Sequence, residues 1–185
     1  IYTIMRKGIL FFISLAITSL IFGQIPDGYY NDAIGKKKAE LKTALHTIIH
    51  YANVPGYGKG ENSTWGAFTK TDVNPIDGTV WDMYSTNHVP FNGYSAASGM
   101  NIENSFAKSW WGGQNIQPYK DIFHLYPSNS NANSARNNFP LGVVTGEVSY
   151  DNKVIKVGMC NYRPGGEIKV WEPADEYKGD FARTY

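Results

Sequence analysis

Residues 99–138 constrain the fold more than any other part of the chain. The segments "MNIENSF" and "DIFHLY" alternate apolar with polar residues or carry β-forming side chains, which predicts two strands joined by a long loop. Pro127 is expected to end the second strand. The segment "NANSARNN" then predicts a short helix, with Ser128 or Ser130 as its N-cap. The predicted order is therefore strand, long loop, strand and short helix.

The flanking segments predict a mixed α+β fold. Residues 33–52 place apolar side chains at helical spacing, which predicts an amphipathic helix packed against the core. "TDVNPIDGTVWDMYS" predicts a turn after a short helix, followed by a strand over "TVWDMYS". "GVVTGEVSY", "KVIKVGMC" and "EIKVWEP" predict further strands, separated by turns rich in glycine, asparagine or proline.

The N-terminal residues have the layout of a secretory signal peptide. Arg6 and Lys7 precede the apolar run "GILFFISLAITSLIFG", which ends in small residues before Gln24. This run is short for a membrane span, and no second such segment follows. We therefore predict a signal peptide over residues 1–23, with upstream read-through before Met5, and one domain over residues 24–185. The mature protein is predicted to be a monomer without a membrane span, secreted or periplasmic.

The charge balance limits how this domain can bind anionic partners. The chain has 17 basic and 16 acidic residues, and removing residues 1–23 takes away two basic residues and no acidic one. Proteins that bind nucleic acid through a general basic field carry a clear excess of Lys and Arg. Any phosphate recognition here must be a local patch. The single cysteine, Cys160, cannot form an internal disulfide and is predicted to be a small buried apolar residue.

The predicted strand–loop–strand–helix segment carries residue types suited to phosphodiester chemistry. Glu103 near the end of the first strand and Asn133 on the helix offer a carboxylate and an amide oxygen, which suit a hard cation such as Mg²⁺. Arg136 lies one turn after Asn133 and shares its helix face. From spacing alone, these residue types are more often ordinary surface residues than a site.

The blocks "NIENSFAKSWWGG" and "YKDIFHLYPSNSNANSARNNFPLG" resemble the secreted endonuclease I family. Its pattern is close to E-H-x-x-P-x-S-W, then D-x-H-H-L-x-P, then N-x-x-R-x-N. The resemblance implies a ββα-metal finger, in which Glu103 and Asn133 bind a divalent ion, Mg²⁺ or another such as Mn²⁺ or Ca²⁺. It also implies a sequence-nonspecific endonuclease that acts on DNA, with RNA as a further candidate substrate, and leaves 5′-phosphate products. Because the family normally continues beyond "GDFARTY", the domain is expected to be truncated at its C-terminus.

Two positions depart from the family pattern. Asn104 occupies the place of the histidine that acts as general base, and a carboxamide is not basic enough to take a proton from water. Phe123 stands in place of the first histidine of the "HHL" motif, so only His124 remains. Strand alternation predicts that His124 points away from the face of Phe123, which makes His124 the lesser alternative as a base.

Several side chains are candidates for contacts with the substrate. Arg136 and Arg183 are predicted to hold phosphate oxygens, although a salt bridge at a helix start is an equal alternative for Arg183. Trp110 and Trp111 are candidates for stacking on bases, against the alternative that at least one packs in the core. Three hypotheses follow: an active nuclease, an impaired homologue that binds metal and nucleic acid with little turnover, and a surface-interaction protein with a relic site.

Overall fold

The computed structural model describes residues 25–50, 53–114, 116–162 and 165–185, so the predicted signal peptide lies outside the described residues. The chain divides into two compact units, residues 1–52 and 53–185. No helix within the described ranges is both long enough and apolar enough to cross a membrane.

The first unit contains a 3₁₀ turn over Asn31–Ala33 and helix α1 over Lys38–His50. A helix in this region was predicted, and it begins later than expected because Gly35 and Lys38 adopt positive φ values of 76° and 50°. Such values interrupt a right-handed helix. The rings of His46 and His50 stack with their centroids 5.1 Å apart. The packing of α1 against a core stays a prediction.

The second unit begins with a loop that is fastened to helix α2, Thr64–Thr71. The Thr64 amide donates to the Gly56 carbonyl at 2.8 Å, and the Ser63 hydroxyl donates to the carbonyls of Gly58 and Gly60 at 2.7 and 2.6 Å. A Cβ atom at Gly66 would lie 1.9 Å from the Glu61 carbonyl oxygen, so only glycine allows this close approach. The segment "VPGYGKGENSTW" therefore forms a loop up to the start of α2.

Strands β1, Met100–Asn104, and β2, Leu125–Asn129, form an antiparallel pair that leads directly into helix α3, Ser130–Arg136. The α+β class and the predicted order of these elements are confirmed. Two details were wrong. Pro127 lies inside β2, opposite Ile102, which a strand in a two-stranded sheet tolerates. The N-cap is Asn129, whose side-chain oxygen accepts from the amides of Asn131 and Ala132 at 3.1 Å.

The C-terminal half adds a second sheet and a helix. Strands β3, Val148–Asp151, β4, Ile155–Cys160, and β5, Ile168–Pro173, are antiparallel in that order, and helix α4 covers Asp175–Thr184. Cys160 is buried, as predicted.

The strand predicted over "TVWDMYS" was wrong, because the segment forms one bridge and then a turn. The Asp82 carboxylate accepts from the Tyr84 amide at 2.8 Å and from the Ser85 hydroxyl at 2.5 Å. These side-chain acceptors satisfy polar groups that a strand would have paired with another strand.

Two apolar clusters hold the strand–strand–helix segment in place. Ala132 of α3 packs in a cluster with Trp171 of β5 and Phe181 of α4. Met100 of β1 and Leu125 of β2 pack in the other cluster, against Trp65 and Phe68 of α2. Burying a large apolar side chain stabilises a fold by about 1.5–3 kcal/mol. The segment is therefore anchored on both sides by the rest of the second unit.

Candidate active site

A cleft of about 550 Å³ lies where β1, α3 and the loop before α2 come together. Its lining includes Glu103, Asn104, Asn133 and Arg136. Four of the residues singled out in the sequence are thus brought to one place, although more than 30 residues separate Glu103 from Arg136 along the chain. These residues meet because β2 runs antiparallel to β1 and α3 begins directly after β2.

Glu103 is a buried carboxylate paired with a buried cation. Its Oε1 atom lies 2.9 Å from Nη1 of Arg136, with 5% and 1% of the two side chains exposed. The N–H bond does not point at Oε1, and no described group donates a hydrogen bond to this oxygen. Burial raises the pKa of Glu103 to about 7, and the positive charge of Arg136 acts in the opposite direction. Glu103 therefore keeps acceptor capacity beside the cleft.

The guanidinium of Arg136 fastens the end of α3 to the end of β1. Nη1 donates to the carbonyl oxygens of Asn104 and Asn137 at 3.3 and 3.0 Å. Nη2 donates to the Ser105 carbonyl and to the Tyr185 hydroxyl. The Cζ atom also lies 5.3 Å from the centre of the Trp171 ring. These contacts indicate that Arg136 holds Glu103 and strand β1 in place, rather than binding a phosphate directly.

The two asparagines of the cleft have fixed side chains. The Asn133 amide nitrogen donates to Asn101 Oδ1 at 2.7 Å and to the Ser128 hydroxyl at 3.2 Å, which leaves its amide oxygen available as an acceptor. The Asn104 amide nitrogen donates to the Tyr119 carbonyl at 3.4 Å. Asn104, the position predicted for the base, is 8% exposed and is among the residues that line the cleft.

The donor set fits a hard divalent cation. Within the four described ranges, no three His, Cys, Asp or Glu side chains form a group that could hold a metal. A cation in this cleft would therefore rest on the Glu103 carboxylate, the Asn133 amide oxygen and water. Mg²⁺ suits such a set because it takes oxygen ligands and retains several waters. The unbonded Oε1 of Glu103 agrees with this assignment.

The sequence profile of the endonuclease I family matches residues 37–185. The chain belongs to the endonuclease I family. It is 32% identical over 160 residues to an extracellular ribonuclease of Bacillus amyloliquefaciens, covering 84% of this chain and 50% of that protein. It is also 32% identical over 162 residues to an extracellular ribonuclease of Bacillus subtilis (strain 168), covering 85% of this chain and 51% of the relative. The chain spans about half the length of these relatives. No solved structure matches it significantly.

Three residues of this endonuclease I family member were not singled out as site residues from the sequence. Tyr57 borders the cleft and stacks on Tyr119, with ring centroids 4.2 Å apart. Lys108 also lines the cleft, and Tyr185 donates from its hydroxyl to the Ser105 carbonyl at 2.7 Å. Lys108 is the one with a visible signal, as it stands inside the block that resembles the family motif.

His124 is not among the described residues that line the cleft. Its Nε2 atom donates to the Pro118 carbonyl at 2.6 Å, and its Nδ1 atom is buried without a described hydrogen-bond partner. Phe123 is 83% exposed whereas His124 is 8% exposed, so the two side chains point apart as expected, although both precede β2 rather than lie in it. The geometry gives no support to His124 as the base, and that role stays a prediction.

Arg183 lies in a second groove, of about 750 Å³, away from the residues that line the cleft. Its guanidinium pairs with Asp180 one turn earlier on α4. The predicted alternative of a salt bridge is therefore present, in the last turn of the helix rather than at its start. The structure does not bring Arg183 together with Arg136.

The two tryptophans lie in a surface aromatic group outside the two core clusters described above. Trp110 is 39% exposed and contacts Phe106 edge to face, with centroids 5.1 Å apart. Trp111 is half-buried and donates from Nε1 to the Gly113 carbonyl at 3.0 Å. Core packing of at least one tryptophan was thus the wrong alternative. Stacking of Trp110 on a base stays a prediction.

Asp72, which lines the second groove, is expected to lower the stability of the protein as pH rises. Burial raises the pKa of Asp72 from 3.8 to about 6, although the Thr71 hydroxyl donates to it at 2.6 Å. The folded state thus binds this proton more tightly than the unfolded state does. The contribution of the protonated Asp72 to the free energy of unfolding is therefore full below pH 3.8 and is lost as pH rises through about 6. Asp72→Asn should stabilise the protein at pH 8 by at most about 3 kcal/mol, measured by urea denaturation.

The matched control for this experiment is Asp77→Asn. Hydrogen bonds from Thr79 and His88 lower the pKa of Asp77, so its stabilising contribution is lost as pH falls, which is the opposite direction. Equal stability of Asp72→Asn and the unmodified chain at both pH 5 and pH 8 would contradict the assignment of a shifted pKa to Asp72.

Proposed function

We propose that this chain is a secreted, metal-dependent endonuclease that hydrolyses phosphodiester bonds of nucleic acid without sequence specificity and leaves 5′-phosphate ends. The observation that carries the proposal is the cleft that unites the Glu103 carboxylate, the Asn133 amide and position 104 on one strand–strand–helix segment. Membership of the endonuclease I family supports the reaction class. The names of the Bacillus relatives support export and favour RNA as a substrate beside DNA.

Each polar group of the cleft has a proposed task. Glu103 and Asn133 would hold the divalent ion, which would supply the positive charge that offsets charge developing on the phosphate. Arg136 would keep Glu103 at the end of β1, since its donors also hold the carbonyls of Asn104 and Ser105. Asn104 would orient a water molecule by hydrogen bonding without accepting its proton.

A second candidate function follows from Asn104 itself. A protein that holds the ion and the nucleic acid but lacks a group to deprotonate water would bind with little turnover. The loss of a positioned base typically slows a reaction by about 10²- to 10⁴-fold. Both candidates share metal-dependent binding of nucleic acid, and turnover alone separates them.

Metal-dependent binding is tested by titrating Mg²⁺ into a mixture of the protein and a labelled single-stranded oligonucleotide, once with RNA and once with DNA. The affinity is expected to rise with Mg²⁺, and Glu103→Gln should weaken the Mg²⁺ response by at least about 10-fold. Glu167→Gln, which changes an exposed carboxylate outside the cleft lining, should leave the response unchanged. Products with 5′-phosphate ends should accept a label from polynucleotide kinase only after phosphatase treatment.

Two results would overturn the proposal. Nucleic-acid binding that does not depend on Mg²⁺, with no cleavage products, would favour a surface-interaction protein whose catalytic site is a non-functional relic. If Glu103→Gln and Glu167→Gln weaken the Mg²⁺ dependence of binding equally, the ion does not bind at Glu103.

A further inference from the structure

We propose that Lys108 binds a backbone phosphate of the nucleic acid at the mouth of the cleft. This inference rests on the proposed function, because it assigns a substrate contact to the same site. Lys108 would act beside the reacting group by positioning the chain that is to be cut, and it would take no part in proton transfer.

The charges of the cleft single out Lys108. Of the described residues that line the cleft, three are charged: Glu103, Lys108 and Arg136. Glu103 and Arg136 lie 2.9 Å apart and are almost fully buried, so the charge of Arg136 is paired and shielded from solvent. In the described part of the chain, no carboxylate pairs with Lys108. Lys108 therefore supplies the uncompensated positive charge of the lining.

The backbone under Lys108 is fixed while its side chain is in solvent. Lys108 opens a 3₁₀ turn, Lys108–Trp110, in which the Trp110 amide donates to the Ala107 carbonyl at 2.9 Å. Ala107 is 5% exposed and anchors the start of the turn, whereas Lys108 is exposed. An exposed ammonium on a fixed turn can reach an anion in the cleft without a desolvation cost like that of a buried cation.

Neutral polar groups beside Lys108 complete a surface suited to phosphate oxygens. The Asn138 amide nitrogen donates to the Ser109 hydroxyl at 3.2 Å, which joins this turn to the segment after α3. Both Ser109 and Asn138 line the cleft. Contacts of this kind with phosphate fix the position of a nucleic acid strand and carry no base information. They agree with cleavage that is independent of sequence.

Because the overall charge is nearly balanced, a single lysine is expected to have a measurable effect on nucleic-acid binding. The mature chain predicted from the sequence has 15 basic and 16 acidic residues, because two basic residues lie in residues 1–23. Without a basic field, each phosphate contact is a large share of the electrostatic part of binding. Each contact to a single strand contributes a slope of about −0.7 to the dependence of log K on log salt concentration.

The test is the salt dependence of oligonucleotide binding at a fixed Mg²⁺ concentration, on the whole chain. Lys108→Ala should reduce the magnitude of the slope by about 0.7 and weaken binding uniformly across sequences, whereas Lys108→Arg should restore the slope. Lys70→Ala is the matched control, because Lys70 is an exposed lysine on α2 outside the cleft lining, and its slope should equal that of the unmodified chain. Circular dichroism and thermal unfolding should be unchanged in all three variants.

The possible failures are distinguishable. Mg²⁺-dependent binding with the same slope for Lys108→Ala and the unmodified chain would overturn the assignment of Lys108 and leave the proposed function standing. Equal slope losses for Lys108→Ala and Lys70→Ala would also overturn it, since the effect would then be general. Absence of Mg²⁺-dependent binding by the unmodified chain would overturn the proposed function and this assignment with it.

Discussion

Replacing Asn104 by histidine is expected to raise the rate of phosphodiester cleavage by about 10²- to 10⁴-fold. Residue 104 is at the end of β1, is among the residues that line the cleft and directly follows Glu103 in sequence. An imidazole there can take a proton from water near neutral pH, which a carboxamide cannot. The measurement is nicking of plasmid DNA and cleavage of RNA with and without Mg²⁺, beside the unmodified chain.

Asn104→Gln is the control, since it enlarges the side chain and leaves it non-basic. The rate of Asn104→His should rise with pH through the imidazole pKa, about 6.5, because only the neutral ring accepts a proton. Adding Phe123→His should contribute little, because Phe123 is 83% exposed and lines the second groove. If the unmodified chain cuts as fast as Asn104→His, position 104 does not carry the base, and His124→Ala becomes the next variant to assay.

Replacing Arg136 by methionine is expected to lower the free energy of unfolding at pH 8 by about 3–5 kcal/mol. The change removes the cation that lies 2.9 Å from Glu103 and leaves a carboxyl group, with 5% of its side chain exposed, without its partner. It also removes the guanidinium donor to the Asn104 carbonyl and one of the two described donors to the Ser105 carbonyl, which keeps the Tyr185 hydroxyl. Urea denaturation gives the free energy from the midpoint and the slope of the transition.

A double-mutant cycle separates the contribution of the Glu103–Arg136 ion pair from the rest of the loss in unfolding free energy. Glu103→Gln combined with Arg136→Met should cost less than the sum of the two single changes, because the buried charge is then absent. At pH 5 the loss for Arg136→Met should shrink, since Glu103, with a pKa of about 7, is then protonated. Arg183→Met removes an exposed ion pair and should cost less than about 1 kcal/mol. An Arg136→Met loss as small as that of Arg183→Met would contradict a structural role for the buried pair.

The sequence predicted those features of the structure that depend on residues close together in the chain. Alternation of side chains in "MNIENSF" and the asparagine-rich run after Pro127 were enough to predict strand, loop, strand and helix. The position of Glu103 near the end of β1 and of Asn133 on α3 followed from that order. The pair of Asp180 and Arg183 is also local, since residues three apart meet on a helix surface.

Other features depend on partners that are distant in the chain. The burial of Arg136 comes from contacts with Trp171 and Tyr185, and no spacing in the sequence reveals that these three residues meet. Side-chain hydrogen bonds also overrode local propensity. Asp82 bonds the backbone ahead of it and turns a segment rich in β-formers away from strand pairing. The position of Lys108 in the cleft lining likewise became visible only with the fold.

The Tyr185 hydroxyl that donates to the Ser105 carbonyl joins residues 80 positions apart, and it also accepts from Arg136. The end of β1 thus receives this hydrogen bond only after Tyr185, the residue that follows α4, has been added to the chain. At ribosomal rates of about 5–20 residues per second, this takes about 4–16 s after residue 105 has been added. During that interval the nascent chain carries the residues of the cleft without the helix that braces them. The order of synthesis therefore delays completion of the site until Tyr185 has been added.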